Sequence, residues 1–407
     1  MQRISRIVLA LGAGGTALML TACSGNAATP SPSGGQPDSL TMTQSTASAG
    51  TFAGRSFEHV CGAVLAGFAR CHSVVGIFLS SGPSGYNPAD LQAAYSLPSS
   101  TKGSGQTVAI VDAYNDPNAE SDLAVYRSKF GLPACTTANG CFKKVDQNGG
   151  TSYPRGDRGW AEEISLDVDM VSAVCPLCHI LLVEATNNSF ANLAAAVDEA
   201  AKLGATEISN SYGGGEYSSE TSDQSHYNHP GIAVTVSSGD GGFGIEFPAA
   251  SQYVTAVGGT TLSKSRTGSF SETAWSGAGS GCSAYVSQQS WQSSVTNITK
   301  YCSKRAVADV SADADPNTGV SVYDTFHTSG WLVFGGTSVS SPIIASVYAL
   351  AGNASTVTYG SYSYSHTSSL HDVTSGSNGS CGNDLCTAVA GWDGPTGNGT
   401  PNGTGGF

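Results

Sequence analysis

Apolar runs alternate with segments of helical periodicity over much of the chain. Unbroken apolar runs, such as 106–112 and 179–185, are typical of strands buried on both faces of a parallel sheet. Further strands are predicted at 205–211, 232–238 and 254–258, and helices at 119–130, 160–173 and 190–203. This alternation predicts an α/β fold, with a doubly wound, mostly parallel sheet and helices on both faces.

A further strand and helix meet at the string Gly-Gly-Thr-Ser-Val-Ser-Ser-Pro, residues 335–342. The apolar run 331–334 predicts a buried strand before it, and 343–351 predicts a helix after it, with Pro342 inside the first turn. Ser338 then lies at the helix start, where free N–H groups and the helix dipole favour developing negative charge. A hydroxyl there suits a nucleophile if a base is nearby. The alternative is a helix start capped by a hydroxyl.

Two carboxyls lie four residues apart on the helix predicted at 160–173. Glu163 and Asp167 therefore share one helix face. Apolar residues crowd the same stretch, so that repulsion between the two charges raises the pKa of one carboxyl and makes it a useful base. The alternative is a solvated acidic helix face.

The segment around Ser338 resembles the nucleophile segment of the subtilisin-like superfamily, Gly-Thr-Ser-x-(Ser/Ala)-x-Pro. Subtilisins use a histidine base, usually within a His-Gly-Thr string. The chain has eight histidines, and none of them precedes a glycine. A different base is therefore expected.

The string Glu-x-x-Leu-Asp at 163–167, followed by Ala-x-Cys-Pro at 173–176, resembles the sedolisin family of serine-carboxyl peptidases. That family has the subtilisin fold. The resemblance implies that Glu163 is the general base, Asp167 its partner and Ser338 the nucleophile. It also implies that Asp240, in Ser-Gly-Asp-Gly-Gly, is the side-chain donor of the oxyanion hole. By itself Asp240 would be an ordinary turn aspartate.

The same resemblance extends to the substrate strand and to pH dependence. Ser211, Tyr212 and Gly213 resemble the strand that pairs with an extended peptide, with Tyr212 as a wall of the acyl-side pocket. An ordinary core strand is the alternative. Asp240 must be protonated to donate to an oxyanion, and a carboxyl titrates near pH ~4, so we expect an acid optimum.

The C-terminal region resembles the calcium loop of the same family. The resemblance implies side-chain ligands from Asp372 and Asp393 and backbone ligands from Val373, Val389 and Gly391. Val389 stands where the family usually has glycine, which a backbone ligand tolerates if its φ is negative. The alternative is a pair of aspartate turns. The aspartate-rich stretch 309–315 does not fit an EF-hand loop and is expected to form turns.

The N-terminus has the pattern of an export signal. Arg3 and Arg6 precede an apolar stretch at 7–20, which is too short to favour a spanning helix. The residues Leu-Thr-Ala-Cys that end at Cys23 resemble a bacterial lipobox, the alternative being an ordinary secretory signal. The predicted divisions are a signal peptide at 1–23, a flexible tether at 24–55, a propeptide remnant or N-terminal brace at 56–85, and a peptidase domain at 86–407.

Charge and cysteine content agree with an exported protein. The net charge of −13 argues against nucleic acid or an anionic membrane surface as a partner. Of the 11 cysteines, all but Cys23 fall as sequence neighbours and predict five short-loop disulfides. The pair in Cys-Pro-Leu-Cys at 175–178 could instead be a redox or zinc motif, although a second ligand pair is missing.

These observations predict an acid-active serine-carboxyl endopeptidase with one structural Ca²⁺ and with proteins or peptides as substrates. We expect a monomer, extracellular or at the cell surface, with a lipid on Cys23 as its only link to a membrane. Two alternatives stay open. One is a catalytically silent surface lipoprotein that binds peptides or serves a structural role on the same fold. The other is a histidine-dependent subtilisin.

Overall fold

The structure is a computed structural model that describes residues 51–52, 55–76 and 82–407. The signal peptide predicted at 1–23 and almost all of the tether predicted at 24–55 lie outside the described residues. Within the described part, no helix is long and apolar enough to cross a membrane.

The described residues form twenty strands and eight α-helices. The strands are β1 (Thr51–Phe52), β2 (Arg55–His59), β3 (Arg70–Cys71), β4 (Val74–Gly76), β5 (Thr107–Ala113), β6 (Phe142–Asp146), β7 (His179–Ala185), β8 (Glu207–Asn210), β9 (Tyr212–Gly215), β10 (Ala233–Ser237), β11 (Glu246–Phe247), β12 (Thr255–Lys264), β13 (Phe270–Ala274), β14 (Gly281–Ser287), β15 (Lys304–Val307), β16 (Val310–Asp313), β17 (Val320–Asp324), β18 (Gly330–Gly335), β19 (Leu370–His371) and β20 (Thr400–Pro401). The helices are α1 (Pro88–Ala94), α2 (Ala119–Lys129), α3 (Arg158–Val174), α4 (Phe190–Lys202), α5 (Glu220–Asp223), α6 (Thr296–Tyr301), α7 (Thr337–Ala351) and α8 (Ser361–Ser365).

The main sheet is mostly parallel, as the sequence predicts. Its order is β13-β12-β10-β8-β5-β7-β6, with β16 paired to β12. Every pair in this sheet is parallel except β12 with β13. The carboxyl ends of β5, β8 and β10 therefore meet at one edge, where open α/β sheets bind ligands.

Helices cover both faces of the main sheet. On one face α3 and α7 pack in a core that contains Val108 and Ile110 of β5. On the other face α4 packs in a second core that contains Ala109 and Val111 of the same strand. Successive side chains of a strand point to opposite faces, so this unbroken apolar strand fills both cores.

Helix α3 is buried along almost its whole length. Asp157 caps it by accepting a hydrogen bond from the Trp160 amide, and every residue in 160–174 is buried. A solvated acidic face is therefore wrong for Glu163 and Asp167, which are 0% exposed.

The strand that precedes Ser338 belongs to a second, antiparallel sheet. Strand β18 lies between β4 and β17 in the order β1-β2-β4-β18-β17. A smaller sheet places β9 between β3 and β11. Residues 55–76 are part of the segment expected to be a propeptide remnant or brace. Within them, β4 pairs with β18, the strand that leads to Ser338, and β3 pairs with β9 of the smaller sheet.

Helix α7 begins after Gly336, whose φ of 95° favours glycine, and ends at Gly352 in the left-handed conformation. Pro342 is the sixth residue of the helix, so its predicted place in the first turn is wrong. A proline has no N–H to donate to the carbonyl four residues earlier, which here is that of Ser338. The Ser211 hydroxyl reaches that oxygen at 3.5 Å.

Two further expectations are tested by the fold. The aspartate-rich stretch 309–315 was expected to form turns, but β16 runs through it, and Asp309 forms a buried ion pair with Arg305. The five neighbouring cysteine pairs are all bonded, and they include Cys175 with Cys178.

Candidate active site

The Ser338 hydroxyl lies at the junction of β8 and β9, beside the carboxyls of α3. It donates to the Ser211 carbonyl at 3.3 Å, and the Ser211 hydroxyl donates to Asp167 Oδ1 at 2.9 Å. The contacts between α3 and α7, within one buried layer, bring together a hydroxyl and carboxyls that are about 170 residues apart in sequence.

Glu163 is a buried carboxyl with a strongly raised pKa. Burial is the largest cause, and the charges of Asp112 and Asp240 add to it. The hydroxyls of Ser338 and Ser73 lie close enough to lower the pKa of Glu163 in part. Among the described residues, neither oxygen of the Glu163 carboxyl has a hydrogen bond of good geometry.

Asp112 is a third member of the carboxyl group, and the sequence analysis missed it. It lies near the carboxyl end of β5, is 0% exposed, and has no hydrogen-bond partner on either oxygen within the part of the chain that the structure describes. Burial, then Asp112, then Glu163 raise the pKa of Asp167 well above its ordinary value, against the hydrogen bond from Ser211. The sequence signal was a carboxylate inside an otherwise apolar strand.

Asp240 lies on the other side of the helix start. Its Oδ1 accepts hydrogen bonds from the Thr337 amide at 2.7 Å and the Thr337 hydroxyl at 2.8 Å, while its buried Oδ2 has no hydrogen-bond partner among the described residues. Burial raises the pKa of Asp240 to about 6, against His72, Thr337 and Arg70, which favour its charged form. A neutral Asp240 would carry its proton on the free oxygen.

Residues 70–76 run through the cleft as an extended peptide. Arg70 and Cys71 pair antiparallel with β9, and the His72 amide donates to the Ser211 carbonyl at 3.2 Å. The Ser338 amide donates to the His72 carbonyl at 3.1 Å. Beyond it, β4 pairs with β18, placing Val74 opposite Gly335.

The His72 carbonyl and Asp240 share the space left by a missing side chain. A β-carbon on Gly336 would lie 2.1 Å from the His72 oxygen and 2.6 Å from Asp240 Oδ2. Both oxygens therefore lie against Gly336, and any larger residue there would displace them. The free carboxyl oxygen and the Ser338 amide flank one carbonyl oxygen, as oxyanion-hole donors do.

The His72 ring occupies a pocket on the acyl side of Ser338. The ring lies between Ser237 and Glu246, over Gly213. Tyr212 was expected to form a wall of this pocket. Its side chain is 0% exposed, and its hydroxyl donates to Asn210 Oδ1 at 2.8 Å and lies 3.5 Å from the Tyr227 hydroxyl. The backbones of Ser211, Tyr212 and Gly213 do line the bound segment.

Histidine is not placed to act as the base. His72 contacts Ser338 only through its backbone, and both of its ring nitrogens bond elsewhere, to Ser237 at 2.7 Å and to Glu246 at 2.9 Å. None of the hydrogen bonds of the Ser338 side chain within the described residues involves an imidazole. The geometry therefore does not favour a histidine-dependent subtilisin.

The residues expected to bind calcium lie together in the C-terminal region. Asp393 is 0% exposed; its Oδ1 accepts from the amide and hydroxyl of Thr396, and its Oδ2 accepts from the Val389 amide at 3.1 Å. Asp372 accepts from the Gly391 amide at 2.9 Å. Burial raises the pKa of Asp393 to about 8, against its hydrogen bonds, and the Asp372 charge adds to the rise.

The described residues contain no group of three or more His, Cys, Asp or Glu side chains arranged to hold a metal. A site with two carboxylates would depend on backbone oxygens. Among the described residues, no group donates a hydrogen bond to the carbonyl oxygens of Val373, Val389 or Gly391. The φ of Val389 is not positive, so a valine can stand at this position, where the family usually has glycine.

Comparison with known proteins identifies the family. Residues 147–368, more than half of the chain, match the model of the subtilase family. The chain belongs to the subtilase family. Among curated proteins, this subtilase is similar to kumamolisin from Bacillus sp. (strain MN-32), 30% identical over 357 residues, and to sedolisin from Pseudomonas sp. (strain 101), 29% identical over 358 residues.

The match to these relatives is partial in length. It covers 79% of this subtilase and 63% of kumamolisin, and 77% of this subtilase and 59% of sedolisin. A solved structure of Pseudomonas sedolisin, a serine-carboxyl proteinase complexed with two molecules of pseudo-iodotyrostatin, superposes with a TM-score of 0.67 at 27% identity. That superposition covers 79% of this chain and 96% of the sedolisin chain and supports the predicted fold.

Proposed function

We propose that this subtilase is an exported, acid-active serine-carboxyl endopeptidase that hydrolyses peptide bonds in proteins. The observation that carries the proposal is a peptide carbonyl oxygen held by the Ser338 amide at 3.1 Å, beside Glu163 and Asp240. The similarity to kumamolisin and sedolisin supports the same reaction class.

In this mechanism Ser338 Oγ attacks the carbonyl carbon and its proton passes to Glu163. The carbonyl electron pair moves to the oxygen, which the Ser338 amide stabilises at the start of α7. Collapse breaks the C–N bond, and Glu163 returns the proton to the leaving nitrogen. Water then hydrolyses the ester on Ser338 through the same groups, while Asp167 and Asp112 set the proton affinity of Glu163.

Asp240 makes the reaction acid-dependent. Its neutral form donates a hydrogen bond from Oδ2 to the developing oxyanion, whereas its charged form repels that oxyanion. Because the pKa of Asp240 is raised to about 6, the donor form prevails below that pH and is lost above it. Activity is therefore expected to decline as the pH rises through about 6.

Export is supported by sequence alone. The positive residues Arg3 and Arg6, the apolar stretch 7–20 and the lipobox-like end at Cys23 have the order of a lipoprotein signal. Five disulfides fit an oxidising compartment. The expected location is the cell surface or the medium, with a monomer acting on protein or peptide substrates.

A structural Ca²⁺ is part of the proposal. Asp372 and Asp393 would supply carboxylate ligands, and Val373, Val389 and Gly391 would supply the backbone oxygens that no described donor reaches. The ion, when bound, would neutralise two neighbouring carboxylates and tie the C-terminal loop down. It takes no part in the peptidase step.

The direct test compares three variants on an unfolded protein substrate at acid pH. S338A is expected to abolish cleavage, and E163Q to lower kcat by roughly 10²–10⁴, the range for a general base. S340A is the matched control, because the Ser340 hydroxyl lies on the same helix but donates only to the Thr337 carbonyl. Equal cleavage by S338A and wild type would remove the proposal.

One observation favours a second function, that of a catalytically silent peptide-binding module. The cleft already holds residues 70–76 of the same chain, as a permanent ligand would be held. Tight binding of added peptides without turnover at any pH would support that reading over the peptidase.

A further inference from the structure

Asp112 and Glu184 are neighbouring carboxyls on the face of the main sheet that α3 and α7 cover. Asp112 of β5 is opposite Glu184 of β7 in the register of these parallel strands. Asp112 lies two residues after Ile110 and Glu184 two residues after Leu182, and both apolar side chains belong to the core that contains α3 and α7. Paired residues of adjacent strands are about 5 Å apart, so the two carboxyls lie side by side, and both are 0% exposed.

Lys144 of β6 holds one oxygen of the Glu184 carboxyl. Its ammonium lies 3.0 Å from Glu184 Oε1, 2.5 Å from Asn115 Oδ1 and 2.6 Å from the Asp116 carbonyl oxygen. An ammonium has three protons to donate, and each of them has an acceptor here. The Asp116 amide donates to the same Glu184 oxygen at 2.9 Å. Because both of its neighbours are donors, Glu184 Oε1 can only accept.

The other oxygens of the two carboxyls have no hydrogen-bond partner within the described part of the chain. They are Glu184 Oε2 and both oxygens of Asp112, and all are buried. Burial and then the charge of Glu184 raise the pKa of Asp112 well above its ordinary value. Burial also raises the pKa of Glu184 to about 7, against Lys144 and the Asp116 amide. A single proton between two such carboxyls removes their repulsion and gives one oxygen of each a partner.

We propose that Asp112 and Glu184 share one proton, and that Lys144 fixes this arrangement by binding Glu184 Oε1. The shared proton leaves one negative charge on the pair, beside α3. Glu184 and Lys144 are then positioning residues, which act on Glu163 through Asp112 and do not touch substrate. This inference deepens the proposed peptidase function and rests on it.

The other ionisable side chains around the pair have partners of their own. Asp146 of β6 is opposite Glu184 in register, but its carboxyl accepts from three amides within 148–152. The Asp116 carboxyl accepts from an amide at the start of α2 and from a hydroxyl of α3. Burial raises the pKa values of Tyr153 and Tyr212, which stay neutral at acid pH. On α3 the pair faces Glu163 and Asp167, the groups on which it acts.

The charge on the pair sets the pH at which Glu163 can act as a base. After burial, the charge of Asp112 is the largest cause of the raised pKa of Glu163 and of Asp167. Glu163 must lose its own proton before it can accept one from Ser338, so the acid limb of the kcat profile follows its pKa. If the pair held two protons, its charge would be lost and the acid limb would move to lower pH.

Two substitutions of Glu184 distinguish a shared proton from a simple loss of charge. In E184Q the amide oxygen must take the place of Oε1, because Lys144 and the Asp116 amide are both donors. The amide NH₂ then replaces Oε2 and donates to Asp112, which keeps its charge. In E184L no donor faces Asp112, which takes up a proton. E184L is therefore expected to move the acid limb to lower pH by roughly one unit, whereas E184Q should not move it downward.

Substitutions of Lys144 and Asp112 test the rest of the arrangement. K144M removes the cation that stabilises the single charge, so it should move the acid limb in the same direction as E184L. K144M/E184L removes the ion pair as a whole, leaves no buried charge without a partner, and replaces E184L if that variant fails to fold. D112N/E184L should match D112N, because Glu184 acts only through Asp112. K143M is the matched control, since Lys143 is exposed and points to the other face of β6.

Two readouts use the full chain. The first is the pH profile of kcat on an unfolded protein, from pH ~3 to ~7. The second is carboxyl-carbon NMR of a ¹³C-labelled S338A chain, which measures the pKa of Glu163 without turnover. In that background, E184L and K144M are expected to lower the pKa of Glu163, whereas E184Q and K143M are not.

The outcomes separate this inference from the proposed function. If the wild type cleaves no substrate, the peptidase proposal fails, and the NMR titration still decides whether the proton is shared. An equal downward shift in E184Q and E184L would assign the effect to the lost carboxyl and overturn the shared proton. An unchanged pKa of Glu163 in both E184L and K144M, with a lowered Tm, would leave Glu184 and Lys144 a structural role only and would also overturn it.

Discussion

The backbone amide of Ser338 donates a hydrogen bond to the carbonyl oxygen of His72 at 3.1 Å. These residues are more than 260 positions apart in sequence, and the contact places a peptide carbonyl at the first turn of α7. The same carbonyl oxygen and Asp240 Oδ2 lie against Gly336. The proposed nucleophile, the proposed oxyanion donors and a peptide segment therefore all lie at the start of α7.

The pH dependence of turnover should follow Asp240. In the wild type, kcat is expected to fall as the pH rises through about 6, because Asp240 loses the proton through which it donates a hydrogen bond to the oxyanion. D240A should lower kcat by roughly 10²–10³, as loss of one oxyanion donor does. In D240N the amide keeps a donor at all pH values, so whatever activity remains should lack this decline. A D240N profile with an unchanged decline near pH 6 would assign that decline to another group.

Asp112 is expected to act through Glu163 and Asp167 rather than on substrate. Its charge raises the pKa of both neighbouring carboxyls, so D112N should lower the pKa of the base. The acid limb of the kcat profile should then move to lower pH by roughly one unit. A purely structural role would change protein yield or Tm and leave the limb where it is.

Stability should fall as the pH rises from acid to neutral. The buried carboxyl of Glu207 has its pKa raised from 4.5 to about 8, mainly by burial, against a hydrogen bond from Thr206. Because the pKa of Glu207 is higher in the folded state, the folded state binds more protons than the unfolded state. The protonated Glu207 carboxyl therefore stabilises the fold fully below the unfolded pKa, and this stabilisation is lost as the pH passes about 8.

E207Q mimics the neutral form of Glu207 and should flatten this dependence. Between the unfolded and folded pKa values, one such group changes the free energy of unfolding by about 1.4 kcal/mol per pH unit. Urea unfolding of wild type and E207Q between acid and weakly alkaline pH measures the difference. If the two curves stay parallel, Glu207 does not retain its proton in the folded state.

Removal of calcium should destabilise the wild type. A site held at a hundred times its Kd contributes about 2.7 kcal/mol, so a chelator should lower Tm by several degrees. D393N should lose the response to chelator, because Asp393 is the buried carboxylate of the proposed site. D384N is the control from the same region and should respond as the wild type does. An unchanged wild-type Tm would argue against a bound ion.

The sequence predicted those parts of the fold that depend on local pattern. The unbroken apolar strands β5 and β7 and the capped helix α4 begin and end within two residues of their predicted limits. Strand β18 was predicted as a strand but not assigned to a separate sheet, and one of its two partners, β4, is more than 250 residues away. Local pattern carries no information on such pairing.

The site was predicted where residues share a motif and missed where they meet only through folding. Ser338, Glu163, Asp167 and Asp240 lie near one another, and the roles that the resemblance implied for them stay predictions. The wall expected from Tyr212 stays a prediction, whereas the backbone of its strand pairs with residues 70 and 71. The pocket around His72 has no sequence signal, since its members come from separate strands.

The most direct measurement of the central claim is the pH profile of kcat/KM on an unfolded protein, with S338A and S340A as variants. Carboxyl-based proton transfer predicts a maximum in the acid range, loss of activity above the pKa of Asp240 at about 6, and no activity in S338A. A maximum near neutral pH that disappears when one histidine is replaced would contradict the account.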